Sequence, residues 1–460
     1  METCLGLLLV LITLAIIHIV QSQDQQGFIS LDCGLPTTEP SPYKETDTGL
    51  WFSSDATFTR SGKTGRIKEN LEGNSKPYKT LRYFPDGLRN CYNLSVDKGR
   101  RYLVRATFVY RNYDGLNNGP VFDLYLGPNP WAEIDLRQVN DTGEEILHIP
   151  TSDSLQICLV KNGTTTPVIS TLELRPMEKD AYITKSGSLK LFFRRYYSNS
   201  GSNIRYMRDV YDRTWVPFFM KEWKQISTTL QVDISNTYVP SQDAIKNAAT
   251  PADTSAPLTI KWSSKNSDHQ YYLYAHFAEI QDLQANETRE FNLSLNGVQF
   301  YVPFVPRKLA VFTVLSRSPR TCNGGECNFQ LIRTNRSTLP PLLNALEVYT
   351  AIQFLQSQTD ESDVDAVKNI TATYALSRIN WQGDPCVPQQ LRWDGLNCRN
   401  TDMSTPPRIT TLNLTSSGLT GTIAAAIQSL TQLETLDLSN NNLTGEVPEF
   451  LSNMESLSVM

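Results

Sequence analysis

Residues 102–127 read YLVRATFVYRNYDGLNNGPVFDLYLG, and this stretch decides the fold. Tyr102 to Phe108 alternates apolar and polar residues, and Phe122 to Leu126 alternates again. Between them, Asn, Asp, Gly and Pro crowd into a turn. Two short alternating runs around such a turn are antiparallel strands. The pattern returns at 271–297, YYLYAHFAEIQDLQANETREFNLSLNG. Phe108 and Phe122 are 14 residues apart, and so are Phe277 and Phe291. Each copy ends alike: Pro167 precedes Leu172-Glu-Leu174, and Pro341 precedes Leu346-Glu-Val348. Each also has an early Trp after an acidic turn, Asp47 with Trp51 and Asp212 with Trp215. The shared spacing predicts a duplicated β-sandwich over 28–176 and 205–350. Residues 177–204 read as a polar, turn-rich connector, with Ser186-Gly-Ser188 and Tyr196 to Ser202 as its turns. Its apolar run Leu189 to Phe193 is expected to pack between the sandwiches.

Downstream the period changes. Residues 408–431, RITTLNLTSSGLTGTIAAAIQSLT, are followed at 24 residues by QLETLDLSNNNLTGEVPEFLSNME, and Leu457 and Met460 begin a third copy. This is a leucine-rich repeat, whose units bury their apolar faces only against neighbours or a cap. The broken third copy suggests a longer molecule. Residues 360–378 are expected to form a helix capped by Ser362, with Asp365 three residues on and Val364, Val367, Ile370, Tyr374 and Ala375 near one face. With Trp381, Trp393 and a Cys386–Cys398 pair, it would cover the open end of the first repeat.

Composition limits the function. The 460 residues suffice for about three domains. A net charge of -5 gives no reason to expect nucleic acid as partner. Residues 1–22 read as a secretory signal peptide, with an apolar run from Leu5 to Val20 and small residues before Gln23. Export favours disulfides. Cys322 and Cys327 flank a tight loop, Cys386 and Cys398 a Trp-containing one, and Cys33, Cys91 and Cys158 leave at least one thiol unpaired within the chain. Nine sequons follow, at Asn93, Asn140, Asn162, Asn286, Asn292, Asn335, Asn369, Asn413 and Asn442, and they predict a glycosylated surface.

No nucleotide loop, GxSxG or HExxH sequence is present. No metal or cofactor is expected, and nothing singles out Asp135, Glu144, Glu145, Asp180, Glu279 or Asp282 as catalytic. Binding has better support. Tyr110, Tyr113, Asp114 and Asn117 share one turn after a strand, and Trp131 follows another, Gly127-Pro-Asn-Pro130. Aromatic faces stack on the C–H face of a pyranose while Asp and Asn fix its hydroxyls.

FISLDCGLP at 28–36, RYFPDGLRNCYNL at 82–94, RDVYDRTWVPF at 208–218 and NWQGDPCVPQQLRWDGLNC at 380–398, with the LTG repeats, carry a resemblance. The chain resembles the ectodomain of plant receptor-like kinases that place a malectin-like domain before leucine-rich repeats. The resemblance implies a mainly β chain: two tandem malectin-like sandwiches, 23–180 and 205–352, a linker at 181–204, a repeat cap at 353–407 and an α/β solenoid at 408–460. It also implies a membrane span and a Ser/Thr kinase beyond Met460. The ligand would be a cell-wall glycan or a secreted peptide, with a co-receptor ectodomain as second partner and the cell surface as location. Animal malectin binds a glucose disaccharide, but its contact residues are not matched here. A soluble lectin-like protein is the other reading. Within the repeats Ser417 stands where Asn441 does one copy later, and Ala424 where Pro448 does. Asn413 should point from the concave strand face, where a glycan would obstruct binding.

Overall fold

The computed structural model describes residues 25–67, 75–184, 187–263 and 268–460; the export segment at 1–22 and Ser186 of the expected connector turn lie outside them. No helix among the described residues is long and apolar enough to cross a membrane.

The molecule is mainly β, and the duplication is visible in its sheets. In the first sandwich one sheet runs Arg89–Ser95, Ser154–Lys161, Val121–Leu126, Asn129–Asp135. In the second the order is Leu258–Ser263, Glu326–Arg333, Phe291–Leu295, Val298–Phe304. Chain order and spatial order match strand for strand. The equal spacings read from the sequence become equal packing: Phe108 meets Phe122 with ring centroids 5.5 Å apart, and Phe277 meets Phe291 at 5.5 Å. The two Trp do not correspond. Trp215 is fully buried, whereas Trp51 is 54% exposed on a strand near the sheet's end.

The expected connector is instead the centre of the structure. Ser188–Tyr196 is a nine-residue strand. It pairs with Asp141–His148 of the first sandwich and with Ala345–Ile352 of the second, so the facing sheets of both sandwiches join into one 11-stranded sheet. A bulge after Leu191 shifts its register and leaves Phe192 partly exposed. Leu189 belongs to a core that draws Leu103 and Leu147 from one unit and Tyr272, Tyr274 and Tyr349 from the other. The apolar run is therefore a strand in a sheet, not a plug in a groove. The ladder to Ala345–Ile352 runs almost its whole length; on the other side Leu189 and Lys190 pair with Leu147 and Ile146, and Arg195 and Tyr196 with Val216 and Pro217.

Cys91 and Cys158 stand directly opposite on neighbouring strands and form a disulfide. Closing a loop of 67 residues by this bond restrains the unfolded chain by about 4 kcal/mol. Cys322–Cys327 and Cys386–Cys398 pair as expected. Cys33 is the free, buried thiol.

The cap helix is Glu361–Thr373, and its N-cap is Asp360 rather than Ser362. The carboxylate accepts from Ser362 N at 3.1 Å, which takes up one of the orphan amides of the first turn. Asp363, Ala366, Val367 and Ile370 form the buried face; Val364 is only half-buried and Tyr374 packs at its edge. The repeat strands Arg408–Asn413 and Thr435–Asp437 pair in parallel at the 24-residue register, and Val459 bridges onto Thr435 as the third copy begins. Leu457 is half-buried against this core rather than bare.

The cap also explains the two irregular repeat residues. Asn441 Nδ2 donates to Leu414 O and Leu438 O while its Oδ1 accepts from Ser417 N and Leu419 N, stitching turn to turn. Ser417, one copy earlier, instead meets Arg378 Nη2 of the cap at 2.5 Å. Ala424 N donates to Tyr374 Oη at 2.8 Å. A proline, as at 448, has no N–H to give.

Candidate recognition site

The strand Tyr102–Val109 runs out into the loop that holds four of the five predicted ligand residues. Tyr110 itself is buried. Its hydroxyl donates to Asp114 Oδ1 at 2.8 Å and accepts from Asn118 N at 3.1 Å. Asp114 Oδ1 also accepts from Leu116 N at 3.0 Å. Asn112 and Asn117 bond reciprocally: Asn112 Nδ2 to Asn117 Oδ1 at 2.7 Å, and Asn117 N to Asn112 Oδ1 at 2.8 Å. Both Asn residues, and Gly115, hold positive φ, which Asn and Gly accept at least cost. The loop is thus fixed by its own side chains.

Tyr113 lies over Gly65, where a Cβ would come within 2.9 Å of its Cδ2. Its ring also meets Tyr83 at 5.4 Å and Tyr110 edge-on at 5.8 Å. Burial, then the charge of Asp114, pushes the Tyr113 phenol above its ordinary range, so it stays a neutral donor. What faces solvent is a ledge: the half-buried rings of Tyr83 and Tyr113, then Asp114, Leu116 and Asn117. Leu116 is 73% exposed.

Trp131 does not join them. It is the third residue of the strand Asn129–Asp135 and lies in the core of the first sandwich, 3% exposed. The turn before it is a hairpin, and alternation turns the ring inward. The exposed-turn reading of Trp131 is corrected accordingly, and Tyr110 is a brace rather than a contact surface. Two concavities lie on the solenoid. One of about 70 Å³ is lined by Arg399, Arg408, Thr410 and Gln432; one of about 510 Å³ by Leu436, Leu438, Val447 and Met460.

Seven of the nine sequon asparagines are exposed, and Asn292 and Asn413 are half-buried. Asn413 lies on a repeat strand with its Oδ1 accepting from Thr415 N.

The largest constellation of charge is one the sequence did not reveal. Arg105, Arg175, Arg194, Arg205 and Arg213 interlock with Glu145, Glu173, Asp209, Asp212 and Glu347 along the joint between the sandwiches. Arg175 Nη2 lies 2.6 Å from Glu173 and 2.9 Å from Asp212, and Arg205 bridges the same two carboxylates at 2.8 and 2.7 Å. Arg194 reaches Glu145 and Glu347, each at 2.7 Å; Arg105 joins Glu145 at 2.9 Å and Arg213 joins Asp209 at 2.8 Å. Five cations meet five anions, so the seam is neutral. Burial alone would raise Asp212 and Glu347; the arginines around them outweigh it and hold both carboxyls below the usual range. His276, buried beside Glu347 at 3.1 Å, is pushed down by burial in spite of that carboxylate. These carboxylates are structural. Among those weighed for catalysis, Asp135, Glu144, Glu279 and Asp282 are likewise held in ion pairs, with Arg137, Lys190, Arg289 and Lys308.

Duplicated antiparallel sandwiches fused through one sheet and disulfide-bonded, followed by a capped leucine-rich-repeat solenoid, define a modular, mainly β protein. The chain belongs to the malectin-like domain family: the Malectin-like domain matches residues 31–351, and a leucine-rich repeat family matches 407–460. It is 70% identical over 438 residues to the receptor-like protein kinase At5g59670 of Arabidopsis thaliana, covering 95% of this chain and 50% of that protein. It is 69% identical over 437 residues to the probable LRR receptor-like serine/threonine-protein kinase At5g59680 of the same plant, covering 94% and 49%. The chain thus spans about half the length of the curated relatives it matches. The crystal structure of the ANX2 ectodomain from Arabidopsis thaliana shares the fold at TM-score 0.60 and 17% identity, over 71% of this chain and 97% of that one. The plant peptide RALF23 in complex with FER and LLG2 gives TM-score 0.56 and 18% identity, over 71% and 96%.

Proposed function

We propose that the chain is the extracellular sensing region of a plant receptor-like kinase, and that the ledge at 113–117 contacts its ligand. The ligand class is a secreted peptide or a cell-wall carbohydrate. One observation carries the reading: the loop is braced by Tyr110, Asn112 and backbone amides, while Asp114 and Asn117 stay exposed beside two tyrosine rings. A loop already held in shape loses little entropy on binding. A ledge rather than a deep pocket suits an extended ligand.

The joint bears on signalling. A shared sheet and a neutral, buried seam make hinge closure between the sandwiches expensive, because opening it would strand paired charges. Ligand would therefore act by favouring an assembly with a second ectodomain, not by closing a cleft. The FER structure holds a peptide, RALF23, together with a further protein, LLG2, which supports an assembly over a closing cleft.

The test is binding by the purified chain to arrays of plant cell-wall oligosaccharides and of secreted peptides, repeated with Asp114→Asn and Leu116→Glu. Leu116 is exposed, and asparagine at 114 keeps the Oδ1 that accepts from Tyr110 and from Leu116 N, so both substitutions should leave the melting temperature nearly unchanged. Retention that falls about ten-fold or more, the loss of roughly 1.4 kcal/mol, supports the ledge. Undiminished retention would sink it. Strong oligosaccharide binding with no second ectodomain recruited would favour the soluble lectin reading.

A further inference from the structure

On the outer face of the second sandwich two exposed aliphatic side chains, Val302 and Ile332, form a short apolar strip with a sequon between them. Along Phe291–Leu295, Phe291, Leu293 and Leu295 turn into the core. Alternation sends Asn292 outward. Across the ladder Asn292 is paired directly with Ile332, so their Cβ atoms lie about 5 Å apart. On its other side the edge strand Val298–Phe304 pairs Tyr301 with Leu293 and Phe304 with Phe291. Val302 falls in the interval facing Asn292. Ile332 is 42% exposed and Val302 66%. An apolar strip beside a sheet edge is a template for association with other chains. Pro303 blunts the edge but leaves the strip bare.

We propose that an N-linked glycan on Asn292 lies along this strip and covers it. Asn292-Leu-Ser294 is an acceptor sequence. Attachment joins Nδ2 to the anomeric carbon of an oligosaccharide carried on a lipid pyrophosphate. The amide gives up one proton, the carrier leaves with its pyrophosphate, and nothing is oxidised or reduced. Gln299 Nε2 donates to Asn292 Oδ1 at 3.4 Å, engaging the oxygen and leaving the nitrogen for the glycan. The C–H face and acetyl methyl of an N-acetylglucosamine shield the Val302 and Ile332 methyls from water without burying a charge. Asn335 of the same sandwich sits in an exposed turn after the strand Glu326–Arg333 and supplies the contrast. This inference is independent of the ligand ledge.

The experiment uses the chain secreted from glycosylating cells, with Asn292→Gln, Ser294→Ala and, as control, Asn335→Gln. Ser294 is buried with its hydroxyl unbonded, so alanine there removes the glycan with little other disturbance. Glycopeptide mass spectrometry should find Asn292 occupied. Both variants lacking its glycan should bind about two-fold or more of an apolar fluorescent dye and aggregate at lower concentration, while the control matches the parent. Adding Val302→Thr and Ile332→Thr to Asn292→Gln should restore the parent's behaviour. An unoccupied Asn292, unchanged dye binding on its loss, or no restoration by the threonines overturns the proposal.

Discussion

A single aspartate shows how far one residue's surroundings can change its chemistry. Asp32 sits on the first strand, fully buried, and accepts from Tyr43 Oη and Thr80 Oγ1, each at 2.6 Å. Burial dominates over these two donors, Asp55 adds repulsion, and the carboxyl is pushed up to about 7. An unfolded aspartate titrates near 3.9. The native state therefore holds the proton more tightly than the unfolded state. The stability Asp32 contributes is fully present below about pH 4 and is lost as pH rises through about 7, a few kcal/mol in all. Thermal melts from pH 4 to 7.5 should show a smaller pH-dependent fall in Asp32→Asn than in the parent. Identical slopes would remove Asp32 as the cause. The same scale shows what a sequence can and cannot carry. The exposed turn that carries Tyr113 and Asp114 was legible because Asn, Asp and Gly crowd together directly after an alternating run. Trp131 was misplaced because its hairpin contains Gly and Pro, which mark an exposed loop and a tight strand turn equally well. The pairing of Cys91 with Cys158 depends on strand register, which spacing alone leaves open.

At the scale of elements, the strands with strong alternation and the 24-residue repeat were plain in the sequence, and the bridging strand was not. Ser188–Tyr196 follows polar turn residues, so its apolar run Leu189 to Phe193 reads as a plug between the sandwiches and not as a strand that joins them. In place, Arg194 is fully buried between Glu145 and Glu347. Alternation puts Arg105 on the polar face of its strand, and in place that face meets the joint and is covered by the chain from Arg205 to Arg213. The seam escapes sequence reading because its ten charges are scattered from residue 105 to residue 347. Its members meet only after the sheet has formed. Two consequences can be measured. Glu347→Ala takes one of the two carboxylates from Arg194, leaves the seam with one cation in excess and removes acceptors from Tyr182 and Tyr349, which should cost about 3–5 kcal/mol in denaturant unfolding. Leu189→Ala should cost about 2–5 kcal/mol and speed hydrogen exchange in both Tyr102–Val109 and Tyr271–Phe277. Faster exchange confined to one sandwich would mean the shared sheet does not couple them.

For the molecule as a whole, the decisive contact joins parts that are distant in sequence. The chain leaves the second sandwich at Ile352, yet the cap docks on the first. Phe354 packs against the first core, and Gln356 exchanges two hydrogen bonds with Asn129, at 2.8 and 2.9 Å. Gln382 Oε1 accepts from Cys91 N at 3.0 Å. Arg89 Nη2 donates to Asp384 O at 2.8 Å and Nη1 to Val387 O at 3.3 Å. Burial lowers the Arg89 guanidinium to about 10, so this cation gives up much of its hydration to hold two carbonyls. Gly383 makes the close approach possible: its φ is +69°, and a Cβ there would lie 2.8 Å from Arg89 and 3.0 Å from Cys91 Sγ. The contact fixes the solenoid relative to the ledge at 113–117, both being tied to the first sandwich. A partner touching both would meet a set spacing instead of a hinge. Arg89→Ala and Gly383→Ala should each free the solenoid without unfolding it, because Cys386–Cys398 and the stacked Trp381 and Trp393 still hold the cap together. The radius of gyration in solution scattering should then rise, and exchange should quicken at 382–388 while the repeat strands keep their protection. An unchanged radius in both variants would show that the two parts are held by something other than this contact, and the fixed spacing would have to be argued from Phe354, the Gln356–Asn129 pair and the Gln382–Cys91 bond.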